Sequence, residues 1–268
     1  MVKRMKPLLG TFVEISADAR SPEQERAVER AFERISFIQS LLSFQDPTSD
    51  LSRLNANPGS DVELHAESIR VLRLAHAMTV ASGGLFNCTV AGRLVREKLL
   101  PCHGGQDMVD AGSSADFFIA RKSACLNRAI RITLDGIAKG YAVDLAVGTL
   151  KRAGIGNGVV NAGGDLRVFG AITVPVFRRE ASGRFLHLGN VQNVAVATSV
   201  VPKTRDASFP GAILNNDGLA PYPGSWTVLA KSAWRADALT KIAALAAPCV
   251  RNATIDRLGG YLCEGPQK

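Results

Sequence analysis

Apolar and polar residues alternate from residue 9 to residue 17, with Leu9, Thr11, Val13, Ile15 and Ala17 on one side, which predicts a strand buried on that face. The period then changes. From Val28 through Ala31, Phe32, Ile35 and Ile38 to Leu42 the apolar positions recur every three or four residues, the repeat of an amphipathic helix. Its start is marked: Ser21 can cap, Pro22 suits the first helical position, and Gln24 stands where a capping box needs it. A second helix is predicted from 67 to about 82, with Ile69, Leu72, Ala75 and Val80 inward and Gly83-Gly84 as its stop. His76 falls on or beside that apolar face and is expected to be a packed core histidine.

The middle of the chain is richer in strands. Residues 129–134, 158–169, 193–198 and 226–230 carry β-branched or alternating apolar residues. Helical patterns separate some of them: 140–151, with Val143, Val147 and Leu150 on one stripe, and 236–247, halted by Pro248. Strands and helices interleave without a strict βαβ rhythm, which favours an α+β fold over a doubly wound sheet. There is no internal repeat, so residues 1–268 read as one domain with room for two lobes. Residues 200–225, with four prolines and three glycines, form the one long irregular loop, a length more often functional than not.

Composition narrows the classes. The 268 residues are 46% apolar and 21% charged, an ordinary globular balance, and no apolar run approaches the roughly 18–20 residues of a membrane span. The basic start at Met1–Pro7 runs into a strand-like segment with no apolar stretch of a signal peptide. A cytoplasmic protein is expected from the chain as it stands, and a periplasmic one if the natural precursor is longer. Five cysteines, widely spaced and without a C-x-x-C pair, read as reduced thiols. Residues 1–150 carry 18 basic and 17 acidic side chains, whereas 151–268 carry 14 and 7, so the net charge of +8 sits almost wholly in the carboxyl half. With no Lys/Arg run of five and only 6% aromatic residues, that charge suits a phosphate-bearing small molecule better than nucleic acid.

Three segments can carry chemistry. In Ile132-Thr133-Leu134-Asp135-Gly136-Ile137-Ala138-Lys139-Gly140-Tyr141-Ala142-Val143-Asp144, a predicted strand end, two glycines and a helix start would let backbone amides approach an anion, with Lys139 adding a point charge. A plain glycine-rich turn with a solvent-facing lysine explains the same residues. Asn161-Ala162-Gly163-Gly164-Asp165 interrupts a strand, as a bulge or a ligand against the main chain would. Asp237 and Thr240 share one helix face and could hold a hard cation such as Mg2+, or Asp237 could simply cap the helix.

Leu9-Gly10-Thr11, the run from Ser43 to Asn55 (SFQDPTSDLSRLN), Gly84-Leu85-Phe86-Asn87, the DGIAKGYAVD run from Asp135, Asn161-Ala162-Gly163-Gly164-Asp165 and Ala236-Asp237-Ala238-Leu239-Thr240 follow one another in this order. In that order they resemble the ApbE family of FAD:protein FMN transferases, its short members in particular, over nearly the whole chain. The resemblance implies an α+β protein with T-fold-like mixed sheets and packed helices. It implies that FAD is the substrate, that Mg2+ serves at the pyrophosphate, and that FMN moves to a Ser or Thr of an acceptor protein as AMP leaves. By position, Leu9, Gln45, Leu85, Phe86, Asn87, Thr133, Lys139 and Ile213 would touch FAD. The Gly136 carbonyl, Asp237 and Thr240 would hold the metal.

Some positions depart from the family's pattern. Leu9 stands where many members have Met, Gln45 where an aromatic residue is usual, and Thr133 where Asp is common. The stretch that helps activate the acceptor hydroxyl, H-x-x-D-P-R-T-G, reads here as Ala212-Ile213-Leu214-Asn215-Asn216-Asp217-Gly218, without the His or the Asp in register. Lys241 stands where a second oxygen ligand is common. Binding is therefore expected to be better preserved than catalysis, with turnover slow and mainly hydrolytic, and His187, the nearest histidine in sequence, is expected at a strand edge. A diverged FAD-binding protein without transfer, and a Mg2+-dependent FAD pyrophosphatase, are the alternative expectations.

Overall fold

Leu9 and Gly10 take positive φ, 56° and 68°, and turn the chain back on itself, so the basic amino-terminal segment is itself a strand. The computed structural model describes residues 1–103, 108–179, 184–202, 213–214 and 220–263. In chain order the elements are β1 (Val2–Leu8), β2 (Thr11–Ala17), α1 (Pro22–Leu42), α2 (Asp50–Ala56), β3 (Val62–Glu63), α3 (Ala66–Ala81) and α4 (Ala91–Arg96). There follow β4 (Phe117–Ile119), β5 (Ser123–Leu126), α5 (Ala138–Arg152), β6 (Gly158–Ala162), β7 (Asp165–Phe169), β8 (Thr173–Arg179), β9 (Phe185–Gln192) and β10 (Ala195–Val201). The last are β11 (Gly224–Ala230), α6 (Ala233–Leu245), α7 (Pro248–Arg257) and β12 (Gly260–Cys263).

The main sheet has seven strands in the order β1-β2-β6-β7-β10-β11-β12, every ladder antiparallel. Val13, Ile15 and Ala17 bury one face of β2, as the alternation predicts. Helices α5 and α6 cover that sheet over β6–β7 and β10–β11, and α1 packs on α5. The core lies between these layers, and a three-stranded sheet, β3-β5-β4, packs with α2 and α3 beside it. The α+β expectation therefore holds, and no described helix is long and apolar enough to cross a membrane.

Helix α1 begins as its sequence signals. Ser21 Oγ accepts from the Gln24 N–H at 3.2 Å, while the Gln24 side chain reaches one residue further back, to the Arg20 N–H at 2.7 Å. Elsewhere the pattern misleads. Val80 is 57% exposed rather than inward, because α3 presents only a narrow stripe of Ile69, Val71, Leu72, Ala75 and Met78 to the core. Residues 158–169 form two strands of a hairpin, and Pro248 opens α7 instead of merely ending α6. His76 is half-buried rather than in the core: it packs edge-on against Phe117, and its Nε2 bonds the Ser114 carbonyl at 3.1 Å.

Helix α6 is buried nearly all round: Ala236, Asp237, Ala238, Leu239, Thr240, Ile242, Ala243 and Ala244 all face protein. Its own cap residue, Ser232, makes no side-chain capping hydrogen bond. Instead Asp144 of α5 accepts from the Ala233 and Trp234 N–H groups, both at 3.0 Å. Asp237 of α6 in turn accepts from the Gly140 N–H at the start of α5, at 3.3 Å. Each helix thus supplies the carboxylate for the other's positive end. The approach requires glycine at 140, where a Cβ would lie 2.3 Å from the Ala233 carbonyl oxygen.

Asp144→Ala is expected to cost about 1–3 kcal/mol, since two N–H groups lose a charged acceptor, and Asp144→Asn less. Urea unfolding of the two variants checks both the size and the order.

Candidate functional site

Residues 129–134 are not a strand. Their backbone groups are satisfied one by one from elsewhere: Asn55 brackets Ile132, donating to its carbonyl at 2.8 Å and accepting its N–H at 2.7 Å, and the Thr133 N–H bonds the Cys88 carbonyl at 2.8 Å. A single bridge joins Arg131 to Val90. The SFQDPTSDLSRLN run is the anchor for this segment. Ser49 Oγ accepts from the Ser52 N–H to start α2, and Asp50 accepts from the His65 N–H and the Ser68 hydroxyl, both at 2.7 Å, tying α2 to α3.

So held, Leu134 leads into the turn at Gly136. A Cβ on Gly136 would lie 3.1 Å from the Phe86 ring and 3.3 Å from Lys241 Cε, so the glycine lets the GLFN turn, this turn and α6 meet. The start of α5 is not a bare row of amides. Ile137 and Ala138 donate to the Leu134 carbonyl, at 3.0 and 2.8 Å, and Gly140 donates to Asp237. On the far side, Gly163 (φ 63°) forms the β6–β7 turn, with Asn161 Oδ1 accepting from the Gly164 N–H at 2.9 Å. A Cβ there would strike Thr11, so the LGT and NAGGD segments meet as well.

These pieces surround a cavity of about 450 Å³. Its lining combines apolar side chains, Leu85, Phe86, Leu94, Leu99 and Leu100 among them, with the polar Thr133, Asp135, Ser199 and Lys241, and Phe86 and Lys241 meet on either side of Gly136. Charge gathers around Lys241. Lys241 Nζ lies 2.5 Å from Oδ1 of Asp237, which is only 1% exposed, and Lys139 Nζ lies 3.6 Å from Asp165. Burial opposes the charge on Lys241, yet the Asp237 and Asp165 carboxylates outweigh it and hold the ammonium above its ordinary value. Burial, reinforced by the negative Asp237, pushes the Asp165 carboxyl up to about 7 despite Lys139. Cys88 also lines the cavity, but burial lifts its thiol to about 12, which leaves it protonated and unreactive at neutral pH. The five cysteines form no disulfide with one another.

The model of the ApbE family matches residues 9–260. The chain belongs to the ApbE family. Among solved structures, the ApbE protein of Thermotoga maritima superposes with a TM-score of 0.81 at 23% identity, over 97% of this chain and 93% of that one. The flavinyl transferase ApbE of Pseudomonas stutzeri gives 0.79 at 20%, over 96% and 88%, and the flavin transferase ApbE of Vibrio cholerae 0.73 at 21%, over 90% and 85%. Likeness at this identity establishes the ApbE fold. Among curated proteins none matches the chain in sequence.

Of the site residues expected from sequence, Leu85, Phe86, Asn87, Thr133, Gly136 and Ile213 line the cavity. Asn87 is also spoken for internally: it donates to the Gly112 carbonyl and accepts from Thr89, which fixes the turn. Asp237 and Thr240 lie behind Lys241, and Lys139 stands beside Asp165. Leu9 and Gln45 lie off the lining: Leu9 is in the β1–β2 turn, its N–H on Gln39 at 2.6 Å, and Gln45 is exposed. Ala212 and residues 215–218, where the acceptor-activating stretch aligns, lie outside the described residues. His187 sits on β9, exposed and against Phe177.

Sequence reasoning passed over the ApbE cavity's apolar wall at Leu94, Leu99 and Leu100 and the Thr198-Ser199-Val200 rim. The closely spaced leucines after Arg93 were the available signal. A wider hollow between α1 and α5, about 790 Å³, is ringed by Glu23, Arg30, Glu33, Arg34 and Arg152 and contains none of the motif residues.

Because the folded-state value of Asp165 is raised, the native state holds a proton that the unfolded chain loses near its ordinary value of 3.8. Its contribution to stability is complete below about pH 4 and is lost as pH rises to about 7. Thermal melts across that window should show a fall in Tm that is smaller in Asp165→Asn; equal slopes would contradict the assignment.

Proposed function

We propose that this chain binds FAD and transfers its FMN half to a Ser or Thr hydroxyl of an acceptor protein, releasing AMP. The observation that carries the reading is a 450 Å³ cavity whose lining joins leucine and phenylalanine side chains, suited to a flat ring system, to Lys241 beside Gly136, suited to a diphosphate, with Lys139 close by on Asp165. Family membership, and similar structures described as flavin transferases, support it.

In the reaction the acceptor oxygen bonds to the FMN phosphorus, the bond from that phosphorus to the bridging oxygen breaks, AMP departs with that oxygen, and the hydroxyl proton passes to water. Such chemistry depends on positioning and charge neutralisation more than on a covalent enzyme intermediate. Lys139 and Lys241 supply positive charge, and the walls around Phe86 exclude water from the ring. The Mg2+ ion expected at Gly136, Asp237 and Thr240 does not fit the donors as they are arranged. Both Asp237 oxygens and the Thr240 hydroxyl already have partners, Lys241 among them. The described residues hold no group of three or more His, Cys, Asp or Glu side chains placed to hold a metal ion.

Incubation of the chain with FAD and a Ser/Thr acceptor peptide, read by mass spectrometry, should yield a peptide heavier by FMN together with AMP. Equal affinity for FMN and FAD, or no flavin binding, would overturn the reading; release of free FMN and AMP with unmodified peptide would make the chain a pyrophosphatase. Turnover should be slow, because the sequence has Ala212 and Asn215 where a general base would stand, and such a base contributes about 10²–10⁴ in rate.

Lys139→Ala should weaken FAD binding by about tenfold or more and flatten its dependence on salt, since a charge-assisted contact is removed. Titration at two ionic strengths checks it, and an unchanged affinity would return Lys139 to a partner of Asp165 alone.

A further inference from the structure

Lys241 stands one helical turn after Asp237, with its ammonium on Asp237 Oδ1 at 2.5 Å and on Thr240 Oγ1 at 3.2 Å. The remaining oxygens are also engaged. Asp237 Oδ2 accepts from Gly140, and the Thr240 hydroxyl donates to the Asp237 carbonyl at 2.7 Å and lies 2.7 Å from Ser199 Oγ. The lysine's stem passes Gly136, which has no Cβ to obstruct it, and Lys241 is among the residues that line the cavity. A lysine placed only to balance a buried carboxylate need not reach a cavity.

A divalent ion bound to Asp237 Oδ1 would have to sit against the ammonium, and two cations at such separation repel strongly at low dielectric. The ammonium needs no octahedron of oxygens, carries three donors, and spends two of them on Asp237 and Thr240 among the described residues. One N–H remains for a ligand oxygen. We propose that the Lys241 ammonium is a covalently fixed replacement for a divalent cation at Asp237, so that this chain neutralises the FAD diphosphate without metal. The inference rests on the FAD-binding reading for its ligand, though not for the exclusion of metal from Asp237.

The test uses the full chain, stripped with EDTA and dialysed. FAD is titrated by flavin fluorescence in EDTA and in Mg2+, and Mn2+ binding is followed separately by electron paramagnetic resonance without flavin. The wild type should bind FAD with Kd values within about twofold in the two buffers, and should show no Mn2+ site that Asp237→Asn abolishes. Lys241→Thr should bind FAD about 10- to 100-fold more weakly in EDTA, recover in Mg2+, and gain a Mn2+ site. Should Lys241→Thr not fold, Asp237→Asn/Lys241→Met removes both charges together; it should lose the same factor and show no recovery in Mg2+. A wild type that loses more than tenfold in EDTA, or that holds Mn2+ through Asp237, overturns the proposal. A Lys241 variant that binds FAD in EDTA as well as the wild type also overturns it. If the wild type binds FAD in neither buffer, the FAD reading fails, and the Mn2+ comparison of wild type with Lys241→Thr still decides whether the lysine excludes the ion.

Discussion

Two carboxylates exchanged between two helix starts hold the site together. Asp144 reaches from α5 to the first amides of α6, and Asp237 reaches from α6 to the third residue of α5, so neither helix can shift without exposing the other's unsatisfied N–H groups. Gly140 sets the distance, because any side chain there would strike the Ala233 carbonyl. The turn at Gly136, the lysines at 139 and 241 and the floor of the cavity inherit their positions from this contact.

The same exchange shapes the electrostatics. With Asp237 nearly sealed from water, its charge must be met inside the protein, and Lys241 meets it on the cavity side. Asp165 lies close enough to feel both and stays protonated far above the usual carboxylate range. A buried cluster of this kind is a poor source of net stability, since desolvation offsets most of the attraction. On the cavity side it leaves Lys241 and Asp135 as the charged side chains of the lining.

Local pattern was legible where local forces decide. Helix α1 reads directly from its caps and its stripe of Val28, Ala31, Phe32, Ile35 and Ile38, because packing and capping act within a few residues. Residues 129–134 have the β-branched composition of a strand and are not one; what satisfies their backbone is Asn55, some 77 positions away, and no periodicity encodes that. Leu9 followed the alternation of β2 and yet sits in the turn before it, at positive φ, because the strand on its other side could not be inferred from Met1–Pro7 alone. For the candidate site the motif order picked out Leu85, Phe86, Asn87, Thr133 and Gly136, whereas the Leu94–Leu100 wall carries no motif and is assembled only by the fold.

Much of what makes the chain recognisable as an ApbE protein is scaffolding. Asn55 brackets a backbone, Asp50 joins two helices, Asn87 fixes a turn, Asp144 caps α6 and Gly140 admits it, and each has its bonding used within the protein. A family match built on such positions speaks first for the fold. Fewer polar side chains face the cavity, Thr133, Asp135, Ser199 and Lys241 among them. There the Lys241 stem passes Gly136, and its charge pairs with the carboxylate that binds α6 to α5. The ion pair of Lys241 and Asp237 thus sits within the α5–α6 contact itself, and on the reading proposed above a departure so small in sequence alters how the site handles phosphate while leaving the family resemblance intact.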